Sequence, residues 1–308
     1  KCPFIAILAM TSRPPTTPDF FIDDPNLLTR FESWLQQKGI RASTHAVYRG
    51  MLERLVQWAR LEGRAPTLSE SMLESFLATR ALSAMSRHRY LLLLSAWLEF
   101  EGACRRRDCP EDINPARRLL LEKTAPEPGP PQVLDDATLK RLLEGLDGEA
   151  RARNWKHART AGAMSVMLGC GLTARETVLL RLDDVLESPA FCALRVRPNG
   201  LHAERVVPFA DPAPLAVFRR WLQCRATCVI AGNLVFPGTL AGGPLVHSTL
   251  YRCVTRMSAK LANEEACPVI LRNTFARWAA DKGASQGQVQ LWMGHVHARA
   301  TGRILGAP

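Results

Sequence analysis

The sequence predicts a mainly α-helical protein with two domains: an N-terminal helical bundle and a second, mostly α domain with a small β-hairpin or sheet. Three observations lead to this prediction. Apolar residues recur at helical spacing over most of the chain. Four prolines in residues 122–132 interrupt that pattern between the two halves. Two short apolar runs in the second half, separated by Pro-Asn-Gly, are typical of paired strands.

The first half carries the pattern of four to five helices behind a leader. Residues 1–22 are rich in proline and threonine toward their end and are expected to form a flexible leader, with Met10 as the natural start. Residues 23–120 form the helical domain. Its helices are expected at residues 31–35, 43–63, after a capping box of Thr67 and Glu70, at 83–100, and after Asn114.

A proline-rich linker, residues 121–132, separates this domain from the second, residues 133–308. The strands of the second domain are expected at 191–197 and 204–209, around a turn at 198–200. Its helices are expected at 135–147, 151–169, 212–226, 247–262, 269–281 and 284–293. Beyond these we expect a mobile tail on which His297 faces solvent.

Composition limits the class of protein and its partners. The net charge of +11 favours a polyanionic partner, most commonly nucleic acid. Nine scattered cysteines are typical of a reducing cytoplasm and not of a disulfide framework. Cys224 and Cys228 share a helix face, where core packing is a better explanation than zinc binding. No apolar stretch reaches the length needed to span a bilayer, so no membrane partner is expected.

Three segments of the second half carry specific patterns. The first, GLTARETVLLRLDDV, occupies residues 171–185. The second consists of LRNTFA at 271–276 and LWMGH at 291–295. Between them, ERVVPF at 204–209 occupies the second predicted strand. In this order, behind a helical domain and a linker, they resemble the two conserved boxes and the hairpin strand of the tyrosine recombinases, or phage integrase family.

This resemblance implies a core-binding (SAM-like) domain and a catalytic-type domain that together clamp duplex DNA. Family members cut DNA by attack of a tyrosine oxygen on a phosphate, and arginine, lysine and His/Trp donors stabilise the charge on the phosphoryl oxygens. The reaction needs no cofactor, because the phosphotyrosine bond conserves the energy of the broken phosphodiester. The implied functions are site-specific DNA recombination and integration.

The catalytic positions of the family are only partly occupied. Thr173 stands where the first arginine belongs, Gly200 or a neighbour replaces the hairpin lysine, and Val269 replaces the first histidine. The nucleophile lies about nine residues beyond the Gly-His histidine in the family, which is Ile304 here. The three tyrosines of the chain, Tyr48, Tyr90 and Tyr251, all precede that position.

Two catalytic remnants match the family, Arg272 and His295. Arg272 is expected to contact a phosphate, so that Arg272→Ala weakens DNA binding without unfolding the protein; the alternative is a solvated helix residue. His295 is either a phosphate donor or a residue retained because Gly-His ends a helix. Thr173 and Glu176 predict a capping box. Arg175 either reaches back into the site or contacts the DNA backbone from the surface.

Further DNA contacts are expected at the N-terminal ends of the second and fourth helices, which cross the DNA grooves in the family. The candidates are Arg41, His45, Arg49, Arg87 and Arg89.

The first hypothesis for function is a DNA-binding member of the family without strand-cleavage activity, acting alone, as a homo-oligomer or with an active recombinase. The second is an active recombinase whose tyrosine comes from a partner subunit or from a missing C-terminal segment. The third is a decayed product of a mobile genetic element.

Overall fold

The computed structural model describes residues 24–40, 42–63, 68–105, 114–122, 129–188, 191–198 and 203–306. They fall into two compact units that divide between residues 128 and 129. The expected leader lies outside the described residues, and so do Arg41, Thr67 and Gly200.

All regular elements in the described residues of the first unit are helices. Its helices are α1 Leu27–Gln37, α2 Ala42–Leu61, α3 Glu70–Ala78, α4 Ala84–Arg105 and α5 Pro115–Glu122. Aromatic rings from α1 and α4 form much of its core. Phe31, Trp34 and Trp97 are almost fully buried, with ring centroids 5.2–5.6 Å apart. Such edge-to-face and offset pairs add to the stabilisation from burial itself.

The start of α3 differs from the sequence prediction. Ser69 is its N-cap, and its side chain accepts a hydrogen bond from the backbone N–H of Met72 at 3.2 Å. The expected capping box with Thr67 was therefore wrong. Serine is as good an N-cap as threonine and lies two residues closer to the first buried turn.

The second unit is mainly helical with one small sheet, which confirms the predicted fold class. Its elements are α6 Asp136–Ala150, α7 Trp155–Cys170, α8 Ala174–Leu179, β1 Val185–Glu187, β2 Cys192–Val196, β3 Arg205–Pro208, α9 Pro212–Thr227, α10 His247–Ala262, α11 Pro268–Asp281, α12 Gln286–Met293 and α13 Ala298–Leu305.

The sheet is antiparallel with the order β1-β2-β3. The predicted pair is present as β2 and β3, and Leu194 of β2 lies opposite both Val185 of β1 and Val207 of β3. The sequence did not predict β1. It has only three residues, too few for an alternating pattern to be recognised.

Helix α7 lies at the centre of the second unit. All thirteen residues from Ala158 to Cys170 are buried. α9 packs so closely on α7 that a Cβ atom at Gly162 would lie 2.6 Å from the Trp221 side chain. A glycine is therefore required at this crossing, where any larger residue would force the two helices apart.

The C-terminal segment is ordered, and the prediction of a mobile tail was wrong. It forms α13, in which Thr301 and Gly302 are buried and Ile304 packs against the core of the unit. His297 occupies the N-cap position of this helix without a capping hydrogen bond from its side chain, and it is exposed, as expected. The helix was missed because only two large apolar residues, Ile304 and Leu305, mark its buried side. None of the helices in the described ranges is long and apolar enough to cross a membrane.

Candidate functional site

Two arginines and one glutamate form a buried cluster in the second unit. Arg205 Nη1 lies 2.8 Å from Oε1 of Glu176, and Arg272 Nη1 lies 3.8 Å from Oε2 of the same carboxylate. The side chains of Arg205, Glu176 and Arg272 are only 3%, 7% and 11% exposed. Buried charges of this kind persist when they are paired and hydrogen-bonded. Two guanidinium groups on one carboxylate leave an excess positive charge.

The local sequence explains why Glu176 points into this cluster. Gly171 ends α7 in the left-handed region at φ +62°, and a Cβ atom there would lie 2.3 Å from the Phe275 ring. Thr173 then caps α8. Its hydroxyl accepts a hydrogen bond from the Glu176 backbone N–H at 3.1 Å, and Oε2 of Glu176 accepts one from the Thr173 backbone N–H at 2.8 Å. The predicted capping box is confirmed.

Arg272, on α11, forms hydrogen bonds to the C-terminal ends of α7 and α12. Its Nη1 donates to the carbonyl of Gly171 after α7, and its Nη2 donates to the carbonyl of Met293 at the end of α12. Helix C-terminal carbonyls lack partners within their own helix and attract cations. The alternative of a solvated helix residue is therefore wrong. The expectation that Arg272→Ala leaves the fold intact also loses its basis, because these donors are used inside the protein.

Arg205, on β3, was not among the predicted site residues. Its Nε donates to the backbone carbonyl of Trp292 at 2.8 Å. Gly294 adopts φ +64°, and a Cβ atom at this position would lie 3.0 Å from the Arg205 guanidinium. The glycine of the Gly-His motif thus makes room for an arginine of the hairpin. The ERVVPF segment contains this arginine, but the sequence pattern there indicates only a strand.

The pKa values reflect the competition between burial and pairing. Burial alone would raise the pKa of Glu176, but the hydrogen bond and charge of Arg205, with Thr173 and Arg272, lower it below its ordinary value of 4.5. Burial lowers the pKa of Arg272 to about 10, with Glu176 acting against this shift and Arg205 adding to it. Glu176 and Arg272 are consequently both charged at neutral pH.

His295 lies two residues beyond the Met293 carbonyl that Arg272 contacts. Its Nδ1 is 2.9 Å from the hydroxyl of Thr301, which is fully buried. α13 folds back on the Gly-His turn and brings the two side chains together.

The other catalytic positions of the family carry no such groups. Thr173 uses its hydroxyl as a helix cap, and Val269 is 59% exposed in the first turn of α11. Ile304 lies half-buried against the core. Arg175 is exposed on α8, and the structure shows no contact between it and the described residues of the cluster. The reach-back considered for Arg175 is therefore not observed.

The three tyrosines lie elsewhere. Tyr48 packs against the core of the first unit. Tyr90 donates a hydrogen bond to the carbonyl of Met51, and burial raises its pKa to about 12. Tyr251 is 43% exposed on α10, and its hydrogen bond with the Cys267 thiol raises its pKa. Tyr90 and Tyr251 therefore keep their phenol protons at neutral pH. Tyr48 and Tyr90 belong to the first unit.

The four described candidates of the first unit lie in the first half of α2 or α4, and their environments differ. Arg49 pairs with Glu32 at 2.5 Å and with Glu53 at 2.7 Å. Arg87 donates to the carbonyl of Leu77 at 3.4 Å and is half-buried. His45 has a buried Nε2 without a hydrogen-bond partner among the described residues. Arg89 is exposed and forms no ion pair with any described carboxylate.

The domain that contains this site is similar to domains of known proteins. The family model described as the phage integrase family matches residues 132–304. The tyrosine recombinase XerC of Chromobacterium violaceum is 29% identical over 277 residues, which cover 89% of this chain and 87% of that protein. The tyrosine recombinase XerD of Proteus mirabilis is 28% identical over 87% of this chain and 83% of its own length. For XerC of Brucella melitensis, at 30% identity, the match spans 56% of this chain and 52% of that protein.

Solved structures share the fold. The XerH site-specific recombinase bound to palindromic difH substrate, a post-cleavage complex, has a TM-score of 0.68 at 18% identity, covering 94% of this chain and 87% of that one. A lambda integrase dimer bound to a COC' core site has a TM-score of 0.65 at 16% identity, covering 90% and 75%.

Proposed function

The chain belongs to the phage integrase family of tyrosine recombinases, and on that premise we propose that it binds duplex DNA at a recombination site without cutting it. Its role would be to occupy the site, either as a homo-oligomer or beside an active recombinase. The family relationship accounts for the fold, whereas the absence of cleavage is inferred from particular residues.

The observation that carries the proposal is the residue at the nucleophile position. About nine residues beyond His295, where the resemblance places the tyrosine, the chain has Ile304, which packs into the core. Isoleucine has no oxygen that could attack a phosphate. Thr301 is the nearest side-chain hydroxyl on α13, but it is fully buried and bonded to His295.

The groups that would stabilise the transition state are depleted as well. Thr173 and Val269 supply no charged donor at two family positions, and Arg272 is held by protein carbonyls. Loss of one preorganised donor typically reduces a rate by about a hundred- to a thousandfold. Several simultaneous losses would leave the site unable to support strand cleavage even with a nucleophile nearby.

DNA binding itself rests on charge and on the relatives. The net charge of +11 would favour a polyanion. The XerH and lambda integrase structures are described as bound to difH substrate and to a COC' core site, the latter as a dimer. We carry the DNA partner over to this chain as part of the proposal.

A gel-shift titration with duplex DNA carrying a candidate recombination site tests the binding. We expect binding at low salt whose log Kd changes linearly with log salt, because each neutralised phosphate releases counterions. Absence of binding at low salt, or binding that salt does not weaken, would contradict the proposal.

Suicide substrates containing a nick near the cleavage site test the lack of cleavage. After denaturing electrophoresis we expect no protein–DNA band from this chain alone. A second reaction adds a catalytically active Xer-type recombinase of different size. A denaturant-resistant band of the size of this chain, in either reaction, would contradict the proposal, because the DNA is linked to the polypeptide that carries the nucleophile.

A further inference from the structure

Several hydrogen bonds hold the backbone of the turn between α12 and α13. Gly294 ends α12 in the left-handed region, and the backbone N–H of His295 donates to the carbonyl of Gln290 at 3.1 Å. The Gln290 side-chain amide donates in return to the carbonyl of His295 at 3.2 Å. The backbone of His295 is thereby held on both sides. The contact of Nδ1 with Thr301, at 2.9 Å, then fixes the orientation of the ring.

Thr301 differs in its hydrogen bonding from four other helical threonines of this unit. Thr160, Thr177, Thr255 and Thr274 each donate their hydroxyl to the backbone carbonyl four residues earlier, at 2.8–3.1 Å. This is the usual behaviour of threonine inside a helix. In α13 the hydroxyl of Thr301 contacts the ring of His295 across the turn. The Thr301 hydroxyl thus bonds to the side chain of His295, a candidate functional residue, where the other four threonines bond to a backbone carbonyl of their own helix.

The direction of this hydrogen bond follows from burial. A neutral imidazole has one protonated nitrogen and one acceptor nitrogen, and the hydroxyl can either donate or accept. Thr301 is fully buried, and its hydrogen-bond partner among the described residues is Nδ1 of His295. If the hydroxyl only accepted a hydrogen bond from Nδ1, its own proton would be buried without an acceptor. That arrangement has a higher free energy than one in which the hydroxyl donates to Nδ1. The hydroxyl therefore donates, and Nδ1 accepts.

We propose that Thr301 is a positioning residue that holds His295 in the tautomer protonated at Nε2. Nε2 lies across the ring from Thr301, so the donor of the ring points away from α13. A ring protonated at Nε2 can donate to a phosphate oxygen, whereas the other tautomer would present an acceptor that repels it. The donation from Nε2 to a phosphate rests on the proposed DNA binding, whereas the assignment of the tautomer does not depend on DNA.

The first experiment reads the tautomer directly in the complete, unmodified protein. With ¹⁵N-labelled histidine, NMR distinguishes a protonated ring nitrogen from an unprotonated one, and the His295→Gln variant assigns the signals of this ring. At a pH where the ring is neutral, we expect the proton on Nε2. A proton on Nδ1, or an equal mixture of both forms, would overturn the proposal without any DNA.

Two variants separate positioning from a merely structural role. Thr301→Val keeps the shape but removes the hydroxyl, and Thr301→Ser keeps the hydroxyl. We expect the valine variant to lose the strong preference for Nε2 and to weaken DNA binding by about two- to tenfold, the effect of one lost hydrogen bond. The serine variant should restore both readouts. Equal tautomer populations in the valine and serine variants would contradict the assignment.

The NMR measurement and the DNA-binding measurement also separate this proposal from the proposed function. If the unmodified protein shows the Nε2 tautomer but does not bind DNA, the tautomer assignment stands and the function fails. If DNA binds while His295 carries its proton on Nδ1, the function stands and the role of Thr301 fails.

Discussion

Arg205 and Glu176 form an ion pair of 2.8 Å in which both side chains are at least 93% buried. The pair joins β3 to the start of α8, and Arg272 extends the same network to the ends of α7 and α12. The charged residues that the family motifs mark thus form a joint between elements in this chain. These residues therefore have a structural role that does not depend on DNA cleavage.

Glu176→Gln is expected to destabilise the second unit strongly. The substitution leaves two buried guanidinium groups without a counter-charge, and breaking a buried ion pair in this way typically costs about 3–5 kcal/mol. Urea unfolding followed by circular dichroism measures the free energy of unfolding.

The matched control is Glu187→Gln, which removes the carboxylate of the Glu187–Arg219 pair. That pair has a similar distance, 2.7 Å, but its side chains are 43% and 44% exposed. We expect a change below about 1 kcal/mol there. Similar effects of the two substitutions would mean that Glu176 does not hold the cluster together.

The same carboxylate predicts how stability depends on pH. The pKa of Glu176 in the folded protein lies below 4.5, so its stabilising effect is complete above that pH and is lost as the pH falls toward the folded value. The free energy of unfolding should therefore decrease below about pH 4.5. The decrease should be smaller in Glu176→Gln, which has no group to protonate. Parallel pH profiles of the two proteins would show that other carboxylates determine the acid instability.

Arg272→Ala should lower stability and not only DNA binding. It removes two hydrogen bonds to helix-end carbonyls and the second counter-charge of Glu176. A loss of roughly 3 kcal/mol in the free energy of unfolding is expected for such a buried charged group. Arg277→Ala on the same helix is the control, because the Arg277 side chain is 51% exposed. If Arg272→Ala left the urea midpoint of unfolding unchanged but weakened DNA binding, Arg272 would be a direct phosphate contact and not a structural residue.

The sequence predicted the fold well where patterns are long and local. Helix α10 was placed at its observed bounds, and the Thr173–Glu176 capping box follows from a four-residue motif. The failures concern short or weakly marked elements. β1 has three residues, and α13 has eight with only two large apolar side chains, Ile304 and Leu305, so both are too short or too weakly apolar to be recognised in the sequence.

The candidate site was predicted less well, because its residues meet only after folding. Arg205 and Arg272 are 67 positions apart in sequence and share a carboxylate that looked like a simple helix cap. The contact between His295 and Thr301 needed α13, which the sequence did not reveal. Motif matching identified the family from these residues, but it could not show which of them face inward.

The first unit offers a test of which arginines would contact DNA. Arg89→Ala should reduce the slope of log Kd against log salt by about 0.9, the value for one lost phosphate contact on duplex DNA. Arg49→Ala should change the slope less, since Glu32 and Glu53 already compensate its charge. Titrations at several salt concentrations provide both slopes. If Arg49→Ala has the larger effect, the two ion pairs must open when DNA binds.

Restoring the missing nucleophile alone should not restore cleavage. Ile304→Tyr places a phenol at the family position, but Thr173 and Val269 still supply no charged donor, and Arg272 remains engaged with the carbonyls of Gly171 and Met293. Two missing donors, each responsible for about a hundred- to a thousandfold in rate, would keep the reaction at least ten-thousandfold slower than in a complete site. A suicide substrate incubated with Ile304→Tyr should therefore give no denaturant-resistant protein–DNA band. Ile304→Phe controls for the larger ring at this half-buried position. A band with tyrosine but not with phenylalanine would mean that the remaining groups suffice for catalysis and that this chain lost its activity through one residue.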